Sequence, residues 1–442
     1  MTASVIKKNK ITLSDYPYRR DIENRLLIAT LSNFEVELLR EMLSGSLKID
    51  IRDLTDVFNC RIEQIETLLD KLANSKLFKR EGAKILIDKE MRKYYEFQLE
   101  KFEKGFKADV VFLQQTLNKV PIHILPNWYV LPKTSDHIFS AIIEKYLLTP
   151  KIYLRYLQEL QFDDPVMDGM LADIMQHPEG ILAQGLREKY GLTYEQFEEA
   201  MLHMEFNFAA FLCYRFEQGT WKEVVMPLYE WQEYASYKKA VNQRTKLEDG
   251  NIENKQADFC FINQIDTLLE KSLRGASPVG SLQEAAKKIA QISLGRCEGD
   301  AITAYPEARE WLRMQITEKA LALYRHPANL MEGADENMLL YSEKNIRAVE
   351  KSLRKAAMEG WVYFDEFMKS FVAALHKTEG VSLKQKGKQW KYVIPIYSPE
   401  ELAFAEQTIF ERLYQIGIVD IGTHAGRKCF RVTPFGRIAI GE

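Results

Sequence analysis

One pattern recurs along this chain and constrains its fold more than any other feature. A helix is followed by a short second helix, a long amphipathic helix and a hairpin that carries basic residues. The pattern is clearest over residues 33–87, and it returns over residues 167–226 and 364–432. Each helix has one apolar stripe, so the helices and the hairpin have to share a small core. We therefore predict a mainly α fold with small β-hairpins (α+β).

The first copy shows the pattern most directly. Apolar residues at helical spacing predict a helix that Asn33 caps and Gly45 stops. Residues 53–58 predict a brief second helix. A third helix follows, with an apolar face formed by Ile62, Ile65, Leu68, Leu69 and Leu72. Residues 77–87 predict a strand, a glycine-containing turn and a second strand.

The second and third copies are indicated by other signals. Thr193 precedes a long helical pattern and Gln196 follows three residues later, which predicts a capping box. Gln218 and Gly219 are predicted to join the two strands of the second hairpin. For the third copy, the sequence predicts a helical segment over residues 345–376, a basic loop over 377–391, a strand over 393–396, a helix over 400–416 and a hairpin over 418–433.

The order of short helix, turn, long helix and hairpin over residues 54–87 resembles the winged-helix superfamily. The resemblance rests on architecture, and it covers about half of the chain when all three copies are counted. It implies tandem winged-helix-like domains joined by helical segments. In that superfamily the third helix usually enters the major groove of DNA, and the hairpin, called the wing, touches the backbone or the minor groove.

These patterns divide the chain into seven predicted segments. Three are winged-helix-like domains, at residues 33–90, 163–235 and 346–442. The others are an N-terminal arm (1–32), a helical connector with a Pro-rich strap (91–162), a polar linker (236–257) and a helical domain (258–345). Because prolines at this density exclude a regular helix interior, the strap is predicted to be extended and packed against a domain.

Charge argues against the usual, helix-mediated mode of DNA binding. The chain carries a formal net charge of −3, so any binding of nucleic acid has to be confined to a patch. Two of the three predicted recognition helices are acidic, and phosphate groups would repel them. Their acids are Glu195, Glu198, Glu199 and Glu205 in the second copy, and Glu400, Glu401, Glu406 and Glu411 in the third.

The basic residues are concentrated instead on the hairpins and in the basic loop. We predict that they contact the backbone phosphates of DNA or RNA. The predicted contact residues are Lys79, Arg80 and Lys84 on the first hairpin, Lys384, Lys386 and Lys388 in the loop, and Arg427, Lys428 and Arg431 on the third hairpin. Trp390 stands beside the lysines of the loop and could stack on bases.

The sequence offers no recognised chemistry for an enzyme. It contains no Gly-x-Gly-x-x-Gly, Gly-x-Ser-x-Gly or His-Glu-x-x-His motif, so we predict no catalytic residues, no cofactor and no metal. The five cysteines are scattered, which favours a reducing compartment and a cytoplasmic location. No apolar run approaches the ~20 residues of a membrane span, so neither a membrane partner nor a secretory signal is predicted.

Two functions follow from these observations. The first is a non-enzymatic, nucleic-acid-associated accessory or regulatory protein that contacts the DNA or RNA backbone through its basic wing hairpins. The alternative is a protein–protein interaction scaffold that uses the winged-helix modules structurally, because acidic third helices more often pack against protein.

Overall fold

The computed structural model of the protein describes residues 7–132, 137–255, 259–275, 279–326 and 339–441. The chain divides into two compact units. The first comprises Met1–Ser236 and Ser382–Tyr392, and the second comprises Tyr237–Val381 and Val393–Glu442. The predicted fold class is confirmed, since helices dominate and the strands form small sheets, most of them antiparallel.

The first unit begins with a strand and a helix, followed by a complete module. The elements are β1 (Lys7–Lys8), α1 (Tyr18–Ala29), α2 (Asn33–Ser44), β2 (Lys48–Asp50), α3 (Ile51–Phe58), α4 (Ile62–Leu72), β3 (Phe78–Glu81), β4 (Lys84–Ile87) and α5 (Lys89–Leu99). Helix α2 is capped by Ser32 rather than by Asn33, because Ser32 and Glu35 form a capping box. It ends at Gly45, as predicted.

The region between the first two modules is helical, with one short strand. It contains α6 (Val110–Leu117), α7 (Leu125–Trp128), α8 (Ile138–Ile142), a π-helical turn (Ile143–Leu147), α9 (Pro150–Glu159) and β5 (Leu160–Gln161), which pairs in parallel with β1. The extended conformation predicted for the Pro-rich strap is wrong, because α7 lies within it. Pro126 occupies the first turn of α7, where a missing N–H costs no helical hydrogen bond. Trp128 and Tyr129 are buried.

The second module repeats the order of the first. It consists of α10 (Pro165–Gln176), β6 (Ile181–Leu182), α11 (Ala183–Tyr190), α12 (Tyr194–Phe206), β7 (Phe211–Glu217) and β8 (Thr220–Met226), and α13 (Tyr229–Asn242) follows it. The capping box of Thr193 and Gln196 is confirmed. The hairpin turn is also confirmed, with φ of 51° at Gln218 and 81° at Gly219. Two successive left-handed residues match the twist of the flanking strands.

The second unit is built from the later part of α13, a helical region and the third module. Its helical region contains β9 (Glu253–Lys255), α14 (Cys260–Leu273), α15 (Gln283–Gln291), β10 (Gly295–Glu298), β11 (Ala301–Ala304), α16 (Ala308–Arg313), α17 (Ile316–Arg325) and α18 (Glu343–Leu353). The predicted polar linker therefore includes the end of α13 and the whole of β9. One hydrophobic core runs from Phe261 of α14 to Phe430 and Ile440 near the end of the described chain.

The third module follows α18. It contains β12 (Val362–Tyr363), α19 (Phe364–Ser370), β13 (Ser382–Lys386), β14 (Gln389–Val393), α20 (Pro399–Gln407), a π-helical turn (Thr408–Leu413), β15 (Val419–His424), β16 (Arg427–Val432) and α21 (Pro434–Ile440). The continuous helical segment predicted over residues 345–376 is wrong. Helix α18 ends at Leu353, and Gly360, at φ 75°, turns the chain into the buried strand β12.

The three modules share one pattern of strand pairing. The strand before the second helix pairs with the last strand of the hairpin, which gives the orders β2-β4-β3, β6-β8-β7 and β12-β16-β15. In the third module β9 extends the sheet at the free edge of β15. The repeat detected in the sequence is therefore a repeat of topology as well as of element order.

The third module differs in the connection between its second and third helices. In the first two modules a left-handed residue makes this turn, Asn59 at φ 44° and Gly191 at φ 64°. In the third module residues 371–398 replace the turn, and β13 and β14 form a two-stranded hairpin within this insertion. The prediction of a loop over residues 377–391 is wrong, as is that of a strand beyond Val393. The hairpin belongs to the first unit as far as Tyr392.

Candidate nucleic-acid interface

The third helix of the second module is largely buried inside the first unit. Arg25 of α1 donates from Nε to Glu198 at 2.6 Å, and its two terminal nitrogens donate to the two carboxylate oxygens of Glu205 at 2.8 and 2.9 Å. Lys101 approaches the same Glu205 carboxylate at 3.4 Å. All four side chains are buried. Two of the acids that make α12 look unsuited to DNA are therefore neutralised within the unit.

The ionisation of this cluster follows from its surroundings. Burial opposes the charged form of Glu205, but Arg25 and Lys101 outweigh it and lower the pKa of Glu205 to about 2. Burial raises the pKa of Glu198, and Arg25 offsets that only in part. Burial and the Arg25 charge lower the pKa of Lys101 to about 8. The Arg25–Glu205 pair is thus fully ionised at neutral pH, and it fixes the face of α12 against α1.

The first module places its three predicted contact residues on β3 and β4. Arg80 is paired with Glu66 of α4 through two hydrogen bonds of 2.7 and 2.6 Å, so its charge is neutralised next to the third helix. Lys79 and Lys84 are exposed. Lys79 also lines a cavity of about 620 Å³ together with Arg20 and Lys76, and Asp88 and Glu90 line it as well. The cavity therefore mixes basic and acidic groups.

The closing hairpin of the third module presents its cations to carboxylates of its own unit. Arg427 donates to Asp365 at 2.7 Å and stacks over the Tyr363 ring at 3.5 Å. Lys428 pairs with Glu406 of α20. Arg431 donates to Asp420 at 2.8 Å and to Asp249 at 3.1 Å. Each predicted contact residue on this hairpin is thus matched by at least one acid.

The hairpin β13–β14, which we call the basic hairpin (Ser382–Val393), has a different character. Lys384, Lys386, Lys388 and Lys391 are exposed, and residues 382–393 include no Asp or Glu. Strand geometry puts Lys384 and Lys386 on one face of β13 and the buried Leu383 on the other. Gly387, at φ 65°, makes the turn. The buried Leu383 and Tyr392 lie on one face of the strand pair, and the lysines of the two strands lie on the other face.

The basic hairpin is fixed at its base to the first unit. The Leu383 N–H donates to the Leu148 carbonyl at 2.7 Å, and the Tyr392 hydroxyl donates to the Leu147 carbonyl at 2.9 Å. Both acceptors lie at the end of the π-helical turn, where carbonyl groups lack helical partners. Tyr392 also packs edge-on against Tyr234, with ring centroids 5.7 Å apart. The lysines are therefore held on an ordered support.

The sequence prediction placed Lys384, Lys386, Lys388 and Lys391 in a loop, and it missed the two strands of the hairpin on which the structure places three of them. The signal was present, since Leu383, Gly387 and Tyr392 mark a buried residue, a turn and a second buried residue around alternating lysines. The prediction of a loop relied on the basic, glycine-containing composition of the segment and overlooked this alternation. Trp390 is half-buried, between the buried Tyr392 and the exposed turn.

The remaining features of the described chain concern metal sites, cavities and membrane-spanning helices. In residues 7–132, 137–255, 259–275, 279–326 and 339–441, no group of three or more His, Cys, Asp or Glu side chains is placed to hold a metal ion. A cavity of about 410 Å³ between α10 and α12 is lined by Gln196, Glu199 and His203, and burial lowers the pKa of His203. None of the helices in these residue ranges has the length and apolar character that crossing a membrane requires.

Comparisons with known protein families, with curated proteins and with solved structures gave no match for the chain.

Proposed function

We propose that the protein is a non-enzymatic accessory or regulatory factor that contacts the DNA or RNA backbone through the basic hairpin. The observation that carries this proposal is the set of four exposed lysines on one hairpin without an intervening acid. Lysine side chains that neutralise phosphates release condensed counterions, and this release supplies most of the affinity in binding that is independent of sequence. The half-buried Trp390 adds an aromatic surface on which a base can stack.

The proposal moves the contact away from the wings. Arg80, Arg427, Lys428 and Arg431 already pair with carboxylates, so a phosphate would have to compete with an ion pair for each of them. The shared strand order of the three modules supports their resemblance to winged helices. In this proposal they serve mainly as a scaffold, and the insertion in the third module supplies the contact with nucleic acid.

The test compares two triple variants that remove the same charge. K386Q/K388Q/K391Q changes the basic hairpin, and K104Q/K151Q/K344Q changes three exposed lysines elsewhere. Binding to fluorescent single-stranded and double-stranded oligonucleotides is measured by anisotropy at 50 and 200 mM salt. We expect the hairpin variant to lose about tenfold or more in affinity at 50 mM salt, with the salt slope reduced by about 2–3. The control variant should lose less than about threefold.

Two outcomes would overturn the proposal. One is a wild-type protein that does not bind at 50 mM salt, where the electrostatic attraction is strongest. The other is an equal loss in both triple variants, which would mean that the effect follows net charge and not the basic hairpin. Circular dichroism spectra confirm that each variant is folded before its affinity is compared.

A protein-interaction scaffold is the second candidate, and one observation favours it. Val57 at the end of α3 and Ile62 at the start of α4 are 63% and 46% exposed, on either side of the helix–helix turn of the first module. In a nucleic-acid reader this turn faces polar groups, whereas an exposed apolar pair suits a protein surface. Absence of oligonucleotide binding, together with a discrete crosslinked partner that V57S/I62S loses, would favour this function.

A further inference from the structure

Three cationic side chains converge in the second unit, and we call them the cationic cluster: Lys238, Arg244 and Lys355. Lys238 lies on α13, Arg244 lies just after it, and Lys355 follows α18. Arg244 pairs with Glu359 through Nη1, and its Nη2 donates to the Ser370 hydroxyl at 2.9 Å. Glu359 therefore pairs with one of the three cations, and the Glu366 carboxylate binds Thr245, the residue that follows Arg244.

Two hydrogen-bond donors of the cationic cluster are buried without an acceptor. The Nζ atom of Lys238 and the Nε atom of Arg244 are both removed from solvent, and neither has a hydrogen-bond partner among the described residues. A buried donor without a partner costs about 1–3 kcal/mol, and more when it is charged. Buried polar groups without a partner therefore indicate that a ligand or an ion binds there.

The groups around Lys238 are also positively charged, so they do not supply the acceptor that its ammonium group lacks. Burial, followed by the nearby ammonium group of Lys355, lowers the pKa of Lys238 to about 8, and Arg244 acts in the same direction. Lys355 is itself exposed, so the cluster opens to solvent on its side. An anion that enters beside Lys355 would separate two repelling ammonium groups and accept the hydrogen bonds that they lack.

We propose that the cationic cluster is a binding site for a tetrahedral oxyanion of the phosphate class. Such an anion offers several acceptor oxygens in different directions, as the separate donors on Lys238, Arg244 and Lys355 require. Its negative charge complements the three cationic side chains of the cluster. The anion is either free inorganic phosphate or a phosphate group of a nucleic-acid backbone. The site shares no residue with the basic hairpin, so it stands or falls separately from the proposed function.

The experiment measures thermal unfolding of the full-length protein in increasing inorganic phosphate, with sodium chloride at equal ionic strength as the reference. We expect phosphate to raise the midpoint of the wild-type protein above that reference, because a ligand that binds only the folded state stabilises it. K238M and K355M should each abolish the rise. K239M changes the neighbouring exposed lysine of α13 and should keep it.

A second arm separates the two sources of phosphate. The single-stranded oligonucleotide is added to K386Q/K388Q/K391Q, in which the basic hairpin no longer contributes. A midpoint raised by the oligonucleotide in that variant, and lost on adding K355M, assigns a backbone phosphate. A rise with inorganic phosphate alone assigns the free anion. The proposal is overturned if phosphate does no more than chloride, or if K355M, whose exposed side chain can be changed without disturbing the core, responds to phosphate as the wild type does.

Discussion

The guanidinium group of Arg25 donates to both carboxylate oxygens of Glu205, at 2.8 and 2.9 Å, across 180 residues of sequence. This pairing, in which two parallel hydrogen bonds join planar groups, sets the orientation of α12 against α1. Glu198 accepts the remaining Nε hydrogen bond, so the guanidinium group is bound on two sides by α12. The third helix of the second module is therefore bound on this face by its own unit.

Removing Arg25 should destabilise the protein strongly. Arg25→Met leaves two carboxylates buried with less compensation, and breaking one partner of a buried ion pair typically costs about 3–5 kcal/mol. We expect the midpoint of urea unfolding to fall accordingly. Arg19→Met changes an exposed arginine on the same helix and should shift the free energy of unfolding by less than about 0.5 kcal/mol. Equal midpoints for the two variants would contradict a structural role for the pair.

Glu230 should make the stability of the protein depend on pH. It is buried, accepts a hydrogen bond from the Val110 N–H at 2.9 Å, and burial raises its pKa from 4.5 to about 8. The unfolded chain releases this proton near pH 4.5 and the folded chain keeps it to about pH 8, so stability is lost as pH rises through that window. The difference between the pKa values of the folded and unfolded states corresponds to a loss of at most about 5 kcal/mol in the free energy of unfolding.

Glu230→Gln tests this dependence, because the amide keeps an acceptor for the Val110 N–H and cannot ionise. We expect the stability of the variant relative to the wild type to increase between about pH 4.5 and pH 8, and to level off above that. Urea unfolding at several pH values measures it. A constant difference between the two proteins across the window would show that Glu230 does not change its protonation on unfolding.

Gly436 should not tolerate a side chain. It lies in the first turn of α21, where an added Cβ would stand 2.1 Å from the carbonyl oxygen of Ile418. Because that atom belongs to the backbone, Gly436→Ala should destabilise the protein by about 1–3 kcal/mol. Gly185→Ala is the matched control, since a Cβ in α11 meets nothing within 4 Å. It should be neutral or stabilise by about 0.5–1 kcal/mol in thermal unfolding. Similar effects of both changes would contradict the close approach of α21 to Ile418.

Local signals predicted the parts of the fold that depend on neighbouring residues. The capping box of Thr193 and Gln196 and the turn at Gln218 act over a few residues, so the sequence shows them directly. The pairing of Arg25 with Glu205 depends on packing across 180 residues, and no local pattern indicates it. For the same reason, counting charges identified the basic residues of the hairpins but not the carboxylates that pair with Arg80, Arg427, Lys428 and Arg431.

A change at Arg427 tests whether the closing hairpin β15–β16 or the basic hairpin binds the oligonucleotide. Arg427→Gln removes the hydrogen bonds to Asp365 and the stacking over Tyr363, and it leaves every lysine of the basic hairpin in place.

 The positive charge that the variant loses is one that Asp365 already offsets, so little attraction for phosphates is lost with it. We therefore expect oligonucleotide affinity to change by less than about twofold at 50 mM salt. The free energy of unfolding should fall by less than about 1 kcal/mol, because the pair is partly exposed to solvent.

Anisotropy and urea unfolding measure the two quantities on the same preparations. Arg427→Lys is the matched control, since it keeps the charge but cannot repeat the planar stacking over Tyr363. If Arg427→Gln weakened oligonucleotide binding as much as K386Q/K388Q/K391Q, while Arg427→Lys retained it, the wing would be the contact surface. Unchanged affinity in both Arg427 variants, beside a loss in the triple variant, would assign the contact to the basic hairpin, because residues 382–393 carry exposed lysines and include no Asp or Glu.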